Sequence, residues 1–218
     1  MQRLALGLLI SLVIAILPAL GNPNALAAPQ LWVLCAVGVC ASLCQPTYGP
    51  FTVASAQEDH GTALQILWSV YISQLMAVIE SVYLRYPESF HWGAAATAGL
   101  WLMLAGLALR TWAVATLGRW FTWHISVEDD QPVVEQGPYR WIRHPSYTGA
   151  FLTYVGAPIM LQAWWAAGVS AVALALAFRR RVRHEERCLT ARLGDRYAMY
   201  VQRVGAFLPW PPRQVGRY

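Results

Sequence analysis

The last apolar stretch of the chain, residues 148–178, reads TGAFLTYVGAPIMLQAWWAAGVSAVALALAF and decides how the chain must fold. It is longer than the ~20 residues that one helix needs to cross a bilayer, yet too short for two full spans. Pro158 lies inside it, and proline kinks or breaks a helix because it lacks a backbone N–H. The stretch therefore predicts a helix-turn-helix hairpin that turns between about Gly156 and Trp164.

The composition outside this hairpin is also that of a membrane protein. Hydrophobic residues make up 57% of the chain and charged residues 12%, whereas soluble domains carry about a quarter charged residues. Such a chain cannot cover a water-facing surface, so lipid must cover much of it. We therefore predict an all-α integral membrane protein.

Four further apolar runs precede the hairpin, and each approaches the length of a bilayer span. They cover residues 4–20, about 30–44, about 62–84 and about 92–117. With the hairpin they predict about five transmembrane segments. Arg3, the following apolar run and Ala25-Leu26-Ala27 are similar to a secretory signal with its cleavage site. The apolar run is long for a signal, however, so we expect an uncleaved first span.

The arginines predict the orientation of the chain in the membrane. The chain has no lysine, and ten of its 16 basic residues follow Phe178. Because basic residues favour the cytoplasmic side, residues 118–147 and the C-terminal segment should both lie there, which requires the hairpin to enter the membrane and return. A single tilted span would place the basic segment outside. We expect a multi-pass protein of a bacterial inner membrane with its active site facing the cytoplasm.

The basic residues and the cysteines carry no sign of two other functions. No zinc-finger, helix-turn-helix or RNA-binding signature accompanies the charge, so anionic lipid headgroups are a better partner for it than nucleic acid. Cys35, Cys40 and Cys44 lack CxxC spacing and nearby histidines, and Cys188 stands alone. We expect these cysteines to pack as small apolar residues and expect no metal site.

Two polar clusters flank the hairpin and are the candidate chemical site. The first, residues 137–149, reads GPYRWIRHPSYTG, and the second, residues 179–197, reads RRRVRHEERCLTARLGDRY. A hairpin returns both clusters to one membrane face, beside apolar helices that can form a pocket. Arginine and histidine suit a carboxylate or phosphate, while glutamate suits an amine or ribose hydroxyls. This mixture fits a zwitterionic nucleoside, although the residue chemistry alone does not identify one.

The two clusters resemble the isoprenylcysteine carboxyl methyltransferase family, which is related to phospholipid methyltransferases. The resemblance rests on GPYRWIRHPSYTG, HEERCL and LGDRYAMY and covers about residues 131–209. It implies methyl transfer from S-adenosylmethionine, at the membrane–cytosol interface, to a lipophilic acceptor. The acceptor implied most directly is an isoprenylcysteine-like carboxylate. Residues 1–117 would then form the membrane core and acceptor entrance, and residues 118–218 the catalytic region.

The resemblance also implies roles for individual residues. Arg181 matches the arginine that holds the substrate carboxylate, and Glu185, four residues later, shares a helix face with it. Glu186 would orient its neighbours, and an upstream polar contact falls near Ser126. Gln131 stands where the family usually has a histidine. The implied cofactor contacts are Gln131, Pro132, Val133, Val134, Tyr139, His144, Pro145, Ser146, Tyr147 and Glu185.

Three other functions remain open at this point. A phospholipid or small-molecule N- or S-methyltransferase would use the same cofactor contacts. Membrane sterol reductases carry a similar GxYxxxRHPxYxG segment and use NADPH, but they have an Arg-Asp pair and a Cys-x-x-Lys-Tyr-Gly run where this chain has Glu185-Glu186 and residues 192–197. A non-catalytic lipid-binding protein would bind no nucleotide-like ligand. The acceptor, the oligomeric state and the role of Glu80 are not defined by the sequence.

Overall fold

The computed structural model describes residues 2–44, 60–125 and 131–209, and within these ranges every regular element is helical. The all-α prediction is therefore confirmed. The α-helices are α1 (Gln2–Ser11), α2 (Leu17–Ala19), α3 (Pro29–Cys44), α4 (Thr62–Ile79), α5 (Ala94–Leu117), α6 (Pro145–Met160), α7 (Trp164–Leu193) and α8 (Asp195–Arg203).

The N-terminal apolar runs form the helices that the sequence predicts. A π-helical turn, Leu12–Ile16, joins α1 to α2, so one rod continues to Ala19 before the chain turns into α3. A second π-helical turn, Glu80–Leu84, extends α4. Two helical stretches, Thr62–Leu84 and Ala94–Trp120, are long and apolar enough to span a bilayer, while Arg3–Ala19 and Pro29–Cys44 are shorter apolar helices.

The predicted hairpin is present and turns within the predicted range. Helix α6 ends at Met160, α7 begins at Trp164, and the Ala163 N–H closes the turn on the Pro158 carbonyl at 2.8 Å. Pro158 itself lies inside α6 rather than at the break. A proline leaves the carbonyl four residues earlier without its helical partner, and here Gln74 Nε2 donates to that carbonyl, Tyr154 O, at 2.9 Å. The helix therefore continues past the proline.

The basic segment after Phe178 continues the second arm of the hairpin. Helix α7 has 30 residues and includes the whole run from Arg179 to Leu193, a length of about 45 Å. It ends at Gly194, whose φ of +55° is easily adopted only by glycine, and α8 follows. One rigid helix thus carries both the apolar arm and the second polar cluster.

Helices α5 and α6 are in backbone contact through paired glycines. A Cβ atom on Gly106 would lie 2.5 Å from Gly149 O, and one on Gly149 would lie 2.6 Å from Gly106 O. Gly99 and Gly156 make a second close approach of the same kind. This contact places the first polar cluster, at the start of α6, directly against the second half of α5.

Candidate active site

A single cavity connects the two polar clusters with the apolar helices. It has a volume of about 280 Å³. At one end it is lined by residues of both clusters, including His144 and Glu185, and at the other by apolar faces of α1 and α3, including Ile10, Leu34 and Gly38. A polar end and an apolar end in one continuous space suit two ligands of different character, or one amphipathic ligand beside a polar one.

Most of the residues predicted as a site line this cavity together. Those that do are Gln131, Pro132, Val133, Val134, Tyr139, His144, Ser146, Tyr147, Arg181 and Glu185. Pro145 is not among the lining residues; it is fully buried at the start of α6, where its fixed φ suits the first turn of a helix. Ser126 lies outside the described residues.

Tyr147 joins Arg181 to Glu185. Its hydroxyl donates to Glu185 Oε2 at 2.7 Å and accepts from Arg181 Nε at 3.2 Å. The expectation that Arg181 and Glu185 share one helix face is therefore confirmed, because one phenol on α6 reaches both.

Arg181 is held on two more sides. Its Nη1 donates to Thr62 Oγ1 at 2.9 Å, and its Nη2 donates to the Trp123 carbonyl at 2.7 Å. Its side chain is buried, with an exposed fraction of 3%. These contacts use three of the five guanidinium N–H groups and fix the positive charge in the cavity wall, where α4, α6 and α7 meet.

His144 and Arg143 hold Glu186. The ring of His144 lies 3.0 Å from Glu186 Oε1 through Nε2, and Arg143 Nε and Nη2 each lie 2.9 Å from the same oxygen. Burial alone would raise the pKa of the Glu186 carboxyl, but the hydrogen bond from His144 and the charge of Arg143 outweigh it, so the pKa lies below its usual value. The predicted orienting role of Glu186 thus has a geometric basis.

The segment of residues 204–207, which follows α8, forms hydrogen bonds to the start of α6. The backbone N–H groups of Arg143 and His144 donate to Gly205 O at 2.8 Å and Ala206 O at 3.0 Å, and Thr148 Oγ1 donates to Phe207 O at 2.9 Å. Arg143 Nη1 also donates to the Val204 carbonyl. The backbone that carries His144 is therefore held on both sides.

Three tyrosines close the polar end of the cavity. Tyr139, Tyr197 and Tyr200 line it, and the Tyr200 hydroxyl donates to the Tyr139 carbonyl at 2.6 Å. Burial, followed by the charge of Glu185, raises the pKa of Tyr139, and burial with the nearby glutamates raises the pKa of Tyr197. Both phenols stay protonated near neutral pH and can donate hydrogen bonds into the cavity.

Arg110 is a cavity residue that the sequence analysis missed. It lies in α5 with an exposed fraction of 6%, and its Nη1 donates to Ser146 O at 3.1 Å and to Ser146 Oγ at 3.0 Å. Its guanidinium carbon lies 5.5 Å from the centre of the Trp123 ring, so Arg110 and Arg181 both contact Trp123. An arginine inside an apolar run is a functional signal by default and could have been found.

The chain is similar to a family of methyltransferases. The family model described as "Isoprenylcysteine carboxyl methyltransferase (ICMT) family" matches residues 97–191, which extends the similarity into α5. Protein-S-isoprenylcysteine O-methyltransferase B of Arabidopsis thaliana is 32% identical over 166 residues, which cover 69% of this chain and 82% of that protein. The enzyme of Rattus norvegicus is 33% identical over 134 residues, 61% of this chain and 46% of that protein.

A solved structure has a similar fold. The eukaryotic intramembrane Ras methyltransferase ICMT superposes with a TM-score of 0.66 over 95% of this chain and 74% of that one, at 24% identity. The likeness covers the N-terminal helices as well as the two polar clusters, so the whole arrangement of helices around the cavity recurs in an intramembrane protein.

Proposed function

Because the chain belongs to the isoprenylcysteine carboxyl methyltransferase family, and is thus a membrane methyltransferase, we propose that it methylates the carboxylate of an isoprenylcysteine-like acceptor. We propose S-adenosylmethionine as the methyl donor. The observation that carries this proposal is the single cavity, polar at the end near Glu185 and apolar at the end near Gly38.

The polar end has the side chains that S-adenosylmethionine needs. Glu185 offers a carboxylate for its amino group or ribose hydroxyls, and Tyr139 offers a phenol that stays protonated. The apolar side chains of Pro132, Val133 and Val134 can cover a nucleobase. We assign the donor to the space between this stretch, the start of α6 and Glu185.

The apolar end suits the hydrocarbon chain of the acceptor. Helices α1 and α3 line it with side chains such as Ile10 and Leu34. An isoprenyl chain in this end would bring its cysteine carboxylate toward the level of Arg181 and Arg110. Both arginines are buried beside Trp123, where a cation acts strongly on an anion because little water screens it.

The reaction requires these residues to align the acceptor with the methyl donor and does not require them to transfer a proton. When bound, S-adenosylmethionine supplies an electrophilic methyl group on a sulfonium. A carboxylate acceptor is already ionised at neutral pH, given an α-carboxyl pKa of about 3.5, so no general base is required. Arg181 would hold the carboxylate in line, Glu185 and Tyr147 would hold the methyl donor, and the apolar walls would exclude water. Good alignment can lower a barrier by about 7–11 kcal/mol.

We propose the following arrangement in the membrane. The four apolar rods and the hairpin make about five transmembrane segments, with the polar end of the cavity at the cytoplasmic face, as the arginine distribution favours. Residues 1–117 would shape the acceptor entrance and residues 118–218 the catalytic region. The relatives named above are eukaryotic, so they lend no support to the expected bacterial inner membrane.

Binding of S-adenosylmethionine and of NADPH to the detergent-purified protein, measured by calorimetry, tests the methyl donor. We expect micromolar binding of S-adenosylmethionine and no binding of NADPH. Glu185→Gln should weaken donor binding about tenfold or more, because a charged partner is lost, and His144→Ala should weaken it by releasing Glu186. Binding of NADPH alone would replace this proposal with a reductase. If neither ligand bound, both the methyltransferase proposal and the reductase alternative would be wrong.

Methylation of an S-farnesylcysteine analogue with a free carboxylate then tests the acceptor, with the same analogue as its amide for control. Methyl transfer to the acid but not to the amide supports carboxyl methylation. If a phospholipid amine accepted methyl groups and the acid did not, the acceptor assignment would be wrong while the donor assignment stood.

A further inference from the structure

The outward face of α7 changes abruptly from apolar to basic. Residues exposed at helical spacing in its first half are Trp165, Val169, Val172 and Leu176, with exposed fractions from 46 to 79%. Continuing along the same face, the next exposed residues are Arg179, Arg180, Arg183 and Arg187. We call these four the arginine face. Arg180 also donates to Gln65 Oε1 and to the His60 carbonyl, so the phosphate-binding groups of this face are Arg179, Arg183 and Arg187. Leu176 and Arg180 are one helical turn apart, about 6 Å, so the face passes from hydrocarbon to charge within that distance.

The arginine face is not neutralised within its own helix. Arg179 and Arg187 each lie four residues from Arg183, and Arg180 lies three residues from it, spacings at which like charges repel. Glu186 is three residues from Arg183, but its Oε1 is bound by Arg143 and His144. The pKa of His184 is lowered by burial, then by His60, and then by Arg180 and Arg187.

We propose that the arginine face binds the phosphate groups of anionic phospholipids. Two observations favour lipid as the occupant. The face continues the exposed apolar face of α7 without rotating around the helix, so it meets the headgroups of the same lipids whose chains cover Val172 and Leu176. Its charge is complementary to anionic headgroups, which attract arginines next to an apolar segment, and guanidinium groups bind phosphate oxygens in pairs.

This lipid contact would act on the active site through one helix. Arg183 and Arg187 lie outside the same two turns of α7 that hold Arg181 and Glu185 in the cavity wall. Bound phosphate would relieve the repulsion along the outer face and keep these turns helical. The anionic lipid is therefore a stabilising ligand of this helix, distinct from the methyl donor and from the acceptor.

Thermal unfolding in nanodiscs tests the proposal without relying on methyl transfer. The wild-type protein and the double variant Arg183→Gln/Arg187→Gln are each placed in phosphatidylcholine alone and in a three-to-one mixture with phosphatidylglycerol. Symmetric discs make the result independent of orientation. We expect the anionic discs to raise the melting temperature of the wild type by a few degrees, an effect that high salt reduces, and to raise that of the double variant by less than half as much.

Two matched variants separate this contact from general surface charge. Arg196→Gln removes an exposed arginine from α8, outside the arginine face, and should respond like the wild type. Arg183→Lys/Arg187→Lys keeps the charge and should recover most of the response. Equal stabilisation of the wild type and the double Gln variant would overturn the proposal, and so would a wild type that ignores anionic lipid.

Discussion

The hydroxyl of Tyr147 lies between Arg181 and Glu185, so the residue that would hold the acceptor and the one that would hold the methyl donor are linked. Arg181 is also tied to Thr62 of α4 and to the Trp123 carbonyl. These links fix a charge that the mechanism uses only for alignment. Shortening the side chain of Arg181 should therefore remove alignment of the acceptor without weakening the binding of the methyl donor.

Replacing Arg181 with Ala should lower kcat/KM for the acceptor about a hundredfold, because a charge-assisted contact to the carboxylate is lost. Binding of S-adenosylmethionine should change little, since Glu185 and the start of α6 remain. Arg196→Ala, an exposed arginine of α8, is the control and should leave both quantities unchanged. Lost donor binding with retained acceptor affinity would show that Arg181 serves the other ligand.

The contact of Glu186 with His144 and Arg143 makes a prediction about acid. The pKa of Glu186 is lowered in the folded protein, so its ionised form stabilises the fold fully above the usual carboxyl pKa, and this stabilisation is lost as pH falls through the lowered value. Melting temperature should thus change little through this group between pH 6 and 8 and fall below about pH 4. Glu186→Gln should lower the melting temperature at pH 7 and weaken this acid dependence. An unchanged acid limb in the variant would show that other carboxyls govern it.

At the scale of whole elements, the hairpin depends on an anchor far from the active site. Glu80 is buried with an exposed fraction of 4%, and its two oxygens accept the backbone N–H groups of Trp165 at 3.2 Å and Ala166 at 2.8 Å. These N–H groups begin α7 and have no partner within the helix. The buried carboxylate whose role the sequence did not define therefore caps the helix that carries Arg181.

Replacing Glu80 with Ala should lower stability by about 1–3 kcal/mol, the cost of leaving buried N–H groups unpaired. Glu80→Gln should be intermediate, because its amide offers one acceptor in place of two. Glu88→Gln is the control, because Glu88 is an exposed carboxylate that follows α4 and its π-helical turn. This variant should melt like the wild type in detergent. If Glu80→Ala melted like that control, the cap would contribute nothing.

The glycine contact between α5 and α6 gives a second prediction at this scale. Gly106→Ala would place a Cβ 2.5 Å from a backbone carbonyl of α6, so the helices must separate, at a cost of about 1–3 kcal/mol. The separation would also move Arg110 away from Ser146. Gly168→Ala, on a helix position with no atom within 4 Å of the added carbon, should instead stabilise α7 by about 0.5–1 kcal/mol. Equal melting temperatures for both variants would contradict this view of the contact.

Some of these features depend on residues that are close together in the sequence, and others on residues that are far apart. The hairpin could be predicted because run length and Pro158 lie in one stretch. The exact break could not, since the carbonyl that Pro158 frees is bound by Gln74, 80 residues away along the chain. The polar end of the cavity could be predicted from Arg143-His144-Pro145 and Glu185-Glu186, because charged residues in this pattern beside an apolar hairpin are typical of a binding site. Arg110 was overlooked because it lies within the apolar run of residues 92–117, which was interpreted as a membrane span, although a charge inside such a run is unusual.

At the scale of the whole molecule, the apolar end of the cavity was the least predictable part. Its walls come from helices that are apolar on every side, because lipid covers one face and protein the other, so periodicity does not distinguish a cavity wall. Leu34, Gly38 and Ser42 recur every four residues along α3 and face the cavity. Only the packing of α1 and α3 beside α4 and α5 shows that this row encloses space.

Filling this end should separate the use of the acceptor from the binding of the methyl donor. Gly38→Leu would insert a branched side chain beside Ser11, whose Oγ lies 3.1 Å from the position of the added Cβ, and would obstruct the space assigned to the isoprenyl chain. We expect the acceptor KM to rise about tenfold or more, since a few buried methylenes at ~0.8 kcal/mol each lose their place, while calorimetry shows unchanged donor binding. Cys40→Leu puts the same side chain on an exposed position of α3 and should leave both unchanged. If the two variants behaved alike, the isoprenyl chain of the acceptor would have to lie outside this part of the cavity. Its carboxylate would then have to reach Arg110 and Arg181 from another side.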